Sequence, residues 1–377
     1  MKFETLCLHS DENKDEWGSI THPICQSATF VHKGVDEYSE YSYSRLSNPT
    51  RRHLEKLVAK LEGGYDACAF STGMTAITVA TLILEPGDHV IATDDLYGGA
   101  LRLFNNICKT NGIEFDFVDT SDLDKVKKLI KNNTKLFYIE TPSNPVMQVT
   151  DIKAISNIAH EVGAYLFVDN TFLTPYYQKP LLLGADIVLH SGTKYLGGHN
   201  DTLAGFVVCN TKELYEKVLF NSKTIGGQLS PFDSFLIERG IKTLPLRMDK
   251  ISQNAIQIAK FLKSCNSIKK IYYVGLEEHK GYSIITKQAT GFGGMISIEV
   301  ESQALAKKIL KNVKIFQYAE SLGGVESLIT YPMLQTHADV PKEERDKRGI
   351  NDRFLRLSVG IENVEDLIND LKQAIYD

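Results

Sequence analysis

The chain has 377 residues, more than one hydrophobic core usually serves, so two domains are expected. Hydrophobic residues make up 43% and charged residues 24%, and a formal net charge of −5 leaves no electrostatic footprint for nucleic acid or an anionic membrane. No apolar stretch reaches the ~18 residues of a membrane span, the first residues lack an apolar signal core, and the six cysteines show neither Cys-x-x-Cys pairs nor metal-ligand spacing. A reduced, cytoplasmic protein without a metal site is expected.

Residues 1 to about 50 show no sustained period. They mix polar residues with Trp17, Phe30 and tyrosines 38, 41 and 43, which predicts an irregular arm packed on something else, such as another subunit. From 51 the pattern changes. Residues 52–61 carry apolar side chains at helical spacing and stop at Gly63-Gly64. Short apolar runs follow at 67–70, 89–92, 114–118, 136–139, 165–168 and 187–189, separated by helical patterns at 74–84, 100–110, 123–131 and 152–162. Strands alternating with such helices predict an α/β fold on a mostly parallel sheet, which binds ligands at the carboxyl ends of its strands. Past about 210 the alternation loosens. Residues 247–263 read as a long amphipathic helix, 291–300 as the approach to a strand, 342–348 as a solvated charge run and 364–375 as a terminal helix. The expected division is an arm at 1–50, a large domain at 51–240 and a smaller α+β domain at 241–377.

Three features fall where strands should end. The run at 165–168 finishes in Asp169. Taken alone, an Asp there more often caps a turn; its functional reading is a carboxylate held against a positively charged ring nitrogen. The run at 187–189 leads into His190-Ser191-Gly192-Thr193-Lys194, a lysine among hydroxyls and glycines. Most lysines after strands are solvated, but an apolar setting lowers an amine's pKa and suits Schiff-base chemistry. Ser191 and Thr193 could bond phosphate oxygens. Ser71-Thr72-Gly73-Met74 opens the helical pattern at 74–84, where free amides and the helix dipole favour phosphate, although simple capping places hydroxyls there equally well. Neither a dinucleotide fingerprint nor a Walker-type P-loop is present.

The order is more specific than any part: a phosphate turn, Tyr97 after the next strand, then Asp169, then Lys194. With Tyr43-Ser-Arg45, Asn48-Pro-Thr50, Asp95-Leu-Tyr-Gly-Gly99, Glu140-Thr-Pro-Ser-Asn-Pro145, Glu320-Ser-Leu-Gly-Gly324 and Arg356-Leu-Ser-Val-Gly360, the chain resembles, over nearly its whole length, the transsulfuration (cystathionine-metabolising) family. These are fold-type-I enzymes of pyridoxal 5′-phosphate (PLP). The resemblance implies that Lys194 binds PLP and shuttles protons, that Asp169 partners the pyridine nitrogen, and that Tyr97 stacks on the ring. It places Thr72, Gly73, Met74, Ser191 and Thr193 on the phosphate, with Tyr43 and Arg45 reaching the phosphate of the neighbouring subunit. Arg356, Ser321 and Asn144 would clamp the substrate α-carboxylate. A homotetramer of two dimers, with sites shared between subunits, is implied.

Two positions bear on substrate. Glu326 stands where many members set an acid near the substrate's distal end, whereas Ser42 replaces the acid that several cystathionine enzymes carry before Tyr-Ser-Arg. Asn200 stands where Ser is usual. Gly99 replaces the Cys frequent in methionine γ-lyases, and the chain is shorter than O-acetylhomoserine sulfhydrylases. The expected activity is a cystathionine lyase, β or γ, acting on a small sulfur amino acid and cleaving cysteine or homocysteine as well. The rivals are cystathionine γ-synthase and, from another class, a PLP-binding protein without catalysis.

Overall fold

The computed structural model describes residues 1–9, 17–37, 39–335, 343, 345 and 348–377. Tyr38 and most of the 342–348 charge run lie outside the described residues.

The alternating runs form a seven-stranded sheet: β1 (Asp66–Phe70), β2 (His89–Thr93), β3 (Glu114–Val118), β4 (Thr134–Glu140), β5 (Tyr165–Asp169), β6 (Ile187–Ser191) and β7 (Gly205–Cys209). Their spatial order is 1-7-6-5-4-2-3, and only β7 runs against the others. Each strand sorts its side chains between two faces. In β5, Leu166 and Val168 join one apolar cluster and Phe167 the other; in β6, Val188 opposes Ile187 and Leu189. With both faces buried the strands read as unbroken apolar runs, each large side chain contributing about 1.5–3 kcal/mol. The ladders continue past the apolar runs. Asp169 pairs with Leu189 and Ser191 with Gly205, so both polar residues are strand residues fixed by main-chain bonds.

Helices α1 (Phe3–Leu8), α2 (Pro49–Glu62), α3 (Gly73–Thr81), α4 (Gly98–Leu103), α5 (Leu123–Lys128) and α6 (Ile152–Glu161) accompany this sheet. α2 starts earlier than its apolar spacing suggests because Asn48 caps it, accepting from Thr50 N and Arg51 N ahead of Pro49. It ends on Gly63 at φ 78, a left-handed position that glycine fills without strain. The helix expected at 100–110 is instead α4 followed by a π-helical turn, Phe104–Cys108, in which Lys109 N donates to Phe104 O at 3.0 Å. The wider turn accompanies packing of Phe104 on Phe115 and Tyr138, with ring centroids 4.8 and 5.1 Å away.

Helices α7 (Thr174–Tyr177), α8 (Lys212–Ile225), α9 (Pro231–Ile241) and α10 (Leu244–Lys263) lead to a second sheet. Its strands β8 (Ile268–Tyr272), β9 (Met295–Val300), β10 (Gln317–Tyr318), β11 (Leu328–Thr330) and β12 (Phe354–Ser358) lie in the order 10-11-12-9-8. All pairs but β10–β11 are antiparallel. Helices α11 (Tyr282–Gln288), α12 (Gln303–Asn312) and α13 (Val364–Tyr376) complete the chain. One face of this sheet, with Ile296, Ile298, Leu355 and Leu357, packs on α10 and α13 through Ile258, Leu262, Leu367 and Leu371. The alternate residues Ser297 and Arg356, paired across β9 and β12, face the first sheet; Ser297 Oγ donates to the Pro145 carbonyl at 2.7 Å. Among the described residues no helix is long and apolar enough to cross a membrane.

Candidate active site

A cavity of about 450 Å³ opens at the carboxyl ends of β4, β5 and β6, where the second sheet meets the first. It brings together Thr72, Gly73, Met74, Tyr97, Asn144, Asp169, Ser191, Thr193, Lys194, Ser321 and Arg356. Three expected residues, Tyr43, Arg45 and Glu326, do not line it.

Lys194 follows β6 in a turn tied by Lys194 N to Ser191 O (3.2 Å) and Gly198 N to Lys194 O (2.7 Å). The buried Arg247 guanidinium reinforces that turn, donating to the carbonyls of Tyr195 at 2.7 Å and Gly240 at 2.8 Å. Lys194 Nζ donates to Ser321 Oγ at 2.8 Å. Burial, and then the Arg356 charge, push its amine down to about 8, against Glu320, which pulls it up. An amine lowered so far is neutral often enough to act as a nucleophile and a base near neutral pH.

Asp169 ends β5 and accepts from Thr171 N at 3.0 Å. Burial raises its carboxyl above the usual range, and the Thr171 bonds and the His190 charge oppose the rise. Its ladder partner on β4 is Glu140, a buried residue that the sequence reading quoted within a motif but gave no role. Glu140 Oε2 accepts from Tyr97 N at 3.0 Å and so fixes the main chain that presents the Tyr97 ring. Burial and the adjacent Asp169 hold Glu140 well above the ordinary carboxyl range. The signal that could have found it is register: parallel strands ending in Glu140 and Asp169 set two acids side by side.

Arg356 is buried on β12. Its Nη1 donates to Asn144 Oδ1 at 2.8 Å and its Nη2 to the Ser321 carbonyl at 3.0 Å. Ser321 itself sits at φ 98, a left-handed conformation that non-glycine residues hold only under outside constraint. Asn144 is presented by a loop that Asp95 anchors, accepting from Ser143 Oγ and from Val146 N.

Whether these residues fit PLP can be judged from the space they leave. A Cβ on Gly73 would stand 3.1 Å from Ser191 Cβ, and one on Gly205 would stand 2.1 Å from the Thr72 carbonyl oxygen. Bare backbone therefore lets the start of α3 close on the end of β6, which brings the helix's first amides and the hydroxyls of Thr72, Ser191 and Thr193 to the cavity, donors suited to a phosphate. A Cβ on Gly99 would meet Tyr97 Cε1 at 2.5 Å and Met74 Sδ at 2.8 Å. Donors for a phosphate, a flat ring platform, a strand-end carboxylate and a depressed amine together suit the group.

The residues outside the cavity have other partners here. Arg45 Nη1 donates to the Lys223 carbonyl at 2.7 Å, and its Cζ lies 5.6 Å above the half-exposed Tyr43 ring. The Ser42 carbonyl accepts from Phe30 N at 3.0 Å. Glu326 is exposed and accepts from Asn200 Nδ2 at 2.7 Å. That contact gives Asn200 a role its sequence position did not suggest. Its φ of 55 is a conformation asparagine tolerates better than most residues.

Fold and cavity together are those of an α/β enzyme with its cleft at the carboxyl ends of the strands. Residues 4–376 match the family described as Cys/Met metabolism PLP-dependent enzyme, and the chain belongs to that family. It is 49% identical to a cystathionine β-lyase of Lactococcus lactis subsp. cremoris over 374 residues, 99% of this chain and 98% of that one. It is also 49% identical to a cystathionine γ-lyase of Bacillus subtilis over 376 residues, 100% and 99% of the two chains. The crystal structure of cystathionine γ-lyase from Lactobacillus plantarum complexed with L-serine superposes with a TM-score of 0.97 at 42% identity, covering 99% of this chain and 98% of that one.

Proposed function

We propose that the chain is a PLP-dependent carbon–sulfur lyase of the transsulfuration pathway that cleaves cystathionine by β- or γ-elimination, with cysteine and homocysteine as lesser substrates. The observation that carries this reading is the convergence of Lys194, Asp169, Tyr97 and Arg356 on one cavity. Its relatives, named as β- and γ-lyases of cystathionine, support it.

Bound PLP supplies an electron sink for the charge left at the substrate α-carbon. Lys194 would hold the cofactor's aldehyde carbon at rest and move the α-proton once substrate has taken its place. Asp169 would pair with the ring nitrogen and Tyr97 stack on the ring. Thr72, Gly73, Met74, Ser191 and Thr193 would hold the phosphate. The Arg356 fork, set by Asn144 and Ser321, matches a planar carboxylate bidentately. Glu326 is our candidate for the substrate's distal ammonium. With Ser42 offering only a hydroxyl, discrimination against shorter thiol amino acids is loose.

We read the molecule as a cytoplasmic homotetramer of two dimers. Residues 51–240 form the cofactor domain, 241–377 the smaller domain, and the 1–50 arm brings Tyr43 and Arg45 to the neighbour's phosphate. The deciding experiment is product analysis from cystathionine: pyruvate with homocysteine means β-cleavage, 2-oxobutyrate with cysteine means γ-cleavage. Neither product, with cystathionine instead formed from an O-acylhomoserine and cysteine, would make the enzyme a γ-synthase.

A further inference from the structure

A chain of polar contacts leads to Arg356 from a residue outside the cavity. Asp95, two residues past the end of β2, is fully buried and does not line the cavity. Its Oδ2 accepts from Ser143 Oγ and, at 3.1 Å, from Val146 N. Those two donors lie on either side of Asn144 in the chain, and Asn144 Oδ1 accepts from Arg356 Nη1 at 2.8 Å. A second acid ties the same two loops in the opposite direction: Glu140, at the root of the Asn144 loop, accepts from Tyr97 N at 3.0 Å. From the second sheet, Ser297, the ladder partner of Arg356, holds the far end of the loop through the Pro145 carbonyl at 2.7 Å.

As a mere brace, Asp95 is poorly chosen. A neutral acceptor such as asparagine would hold the loop with less desolvation. Burial pushes the Asp95 carboxyl up to about 6, against the Ser143 and Val146 bonds, and its Oδ1 has no hydrogen-bond partner among the described residues. In mildly alkaline solution the group is ionised, and both of its bonds are then charge-assisted, roughly twice as strong as neutral ones. What they hold still is Asn144. A shift of about 1 Å there would carry its amide oxygen out of hydrogen-bond range of the guanidinium.

We propose that Asp95 is a positioning residue for the substrate's α-carboxylate: by holding Ser143 and Val146 it fixes Asn144, and through Asn144 the Arg356 fork. The proposal rests on reading Arg356 as the clamp on that carboxylate. It predicts that loss of the Asp95 acceptor weakens recognition of a carboxylate and leaves the reactivity of the bound cofactor alone.

The test uses holoenzyme at mildly alkaline pH and two probes that attack the lysine-bound aldehyde and bleach the cofactor's colour. Aminooxyacetate carries a carboxylate; O-methylhydroxylamine does not. The ratio of their bleaching rates reads the preference for a carboxylate, and wild-type protein should favour aminooxyacetate. Asp95→Ala should cut that preference about tenfold, the scale of one charge-assisted hydrogen bond, with the O-methylhydroxylamine rate unchanged. Asp95→Asn keeps an acceptor for both donors and should retain most of the preference. Ser143→Ala should lower it in the same direction, and it carries the test if thermal melting shows that Asp95→Ala does not fold. A merely structural Asp95 would alter both rates alike, and that unchanged ratio overturns the proposal. Arg356→Met separates the two layers. If it abolishes the preference while Asp95→Ala and Ser143→Ala keep it, the Asp95 proposal fails alone. If it leaves the preference intact, the reading of Arg356 falls and the proposal with it.

Discussion

In the proposed reading Arg356 would meet an incoming carboxylate with its guanidinium already held, by Asn144 Oδ1 on one side and the Ser321 carbonyl on the other. Lysine would keep the charge and lose the fork. Arg356→Lys should therefore raise KM for cystathionine roughly 10- to 100-fold, the loss of a charge-assisted bond, with a smaller change in kcat by steady-state kinetics. Lys194 makes a different prediction. Its amine ordinarily titrates at 10.5 and is pushed to about 8 by burial and by Arg356. Only the neutral amine condenses with an aldehyde, so the rate at which apoenzyme reloads PLP should rise with pH through about 8 and then level off. A midpoint near the ordinary lysine value would mean that the amine sits in solvent. Asp169 stood out in the sequence as the end of an apolar run, and Lys194 as the lysine in the small-residue turn that follows the next one. Glu140 was not: its significance lies in burial and in the register of separate strands, which a linear pattern does not carry.

Among elements, the capped helix α2 links the arm to the first sheet. Asn48 caps it and also donates from Nδ2 to the Cys25 carbonyl at 2.9 Å and to Ser44 Oγ at 3.0 Å. Asn48→Ala removes the cap and strands buried partners, at a cost of about 2–3 kcal/mol. The urea midpoint should fall accordingly, and an unchanged midpoint would mean that the arm and helix contribute nothing to global stability. Strands of the first sheet were readable because burial on both faces makes them continuously apolar. Those of the second were less so. β8 sets two adjacent exposed lysines between half-buried isoleucines, and β12 places Arg356 in the middle of a buried ladder. β7 follows closely on a glycine-rich turn and runs against its neighbours, so the strand–helix rhythm gave no sign of it.

At the scale of the whole molecule, the arm exposes Ile20 (93%), Val31 (90%), Val35 (90%) and Trp17 (76%) while Arg45 rests on a surface carbonyl of its own chain. A solvated arm with that much apolar surface is expected to be covered by a second copy. Mixing inactive Arg45→Ala subunits with inactive Lys194→Ala subunits should then restore part of the activity, because some hybrid dimers contain one intact site. Verified hybrids without activity would assign Arg45 to its own subunit's site. The two sheets were anticipated from the change of rhythm past residue 210; the seam between them came only from the resemblance, which grouped Arg356 with Asn144 and Ser321, because residues so far apart in the chain leave no local pattern. That seam has a mechanical consequence. Lys194 hangs from one sheet and Arg356 from the other, and a displacement of about 1 Å between reacting groups can cost a hundredfold in rate. The enzyme thus carries its own alignment gauge: under gentle warming, turnover should fade while the colour of the bound cofactor persists, and the gap between the two curves measures how far the sheets slip before either melts.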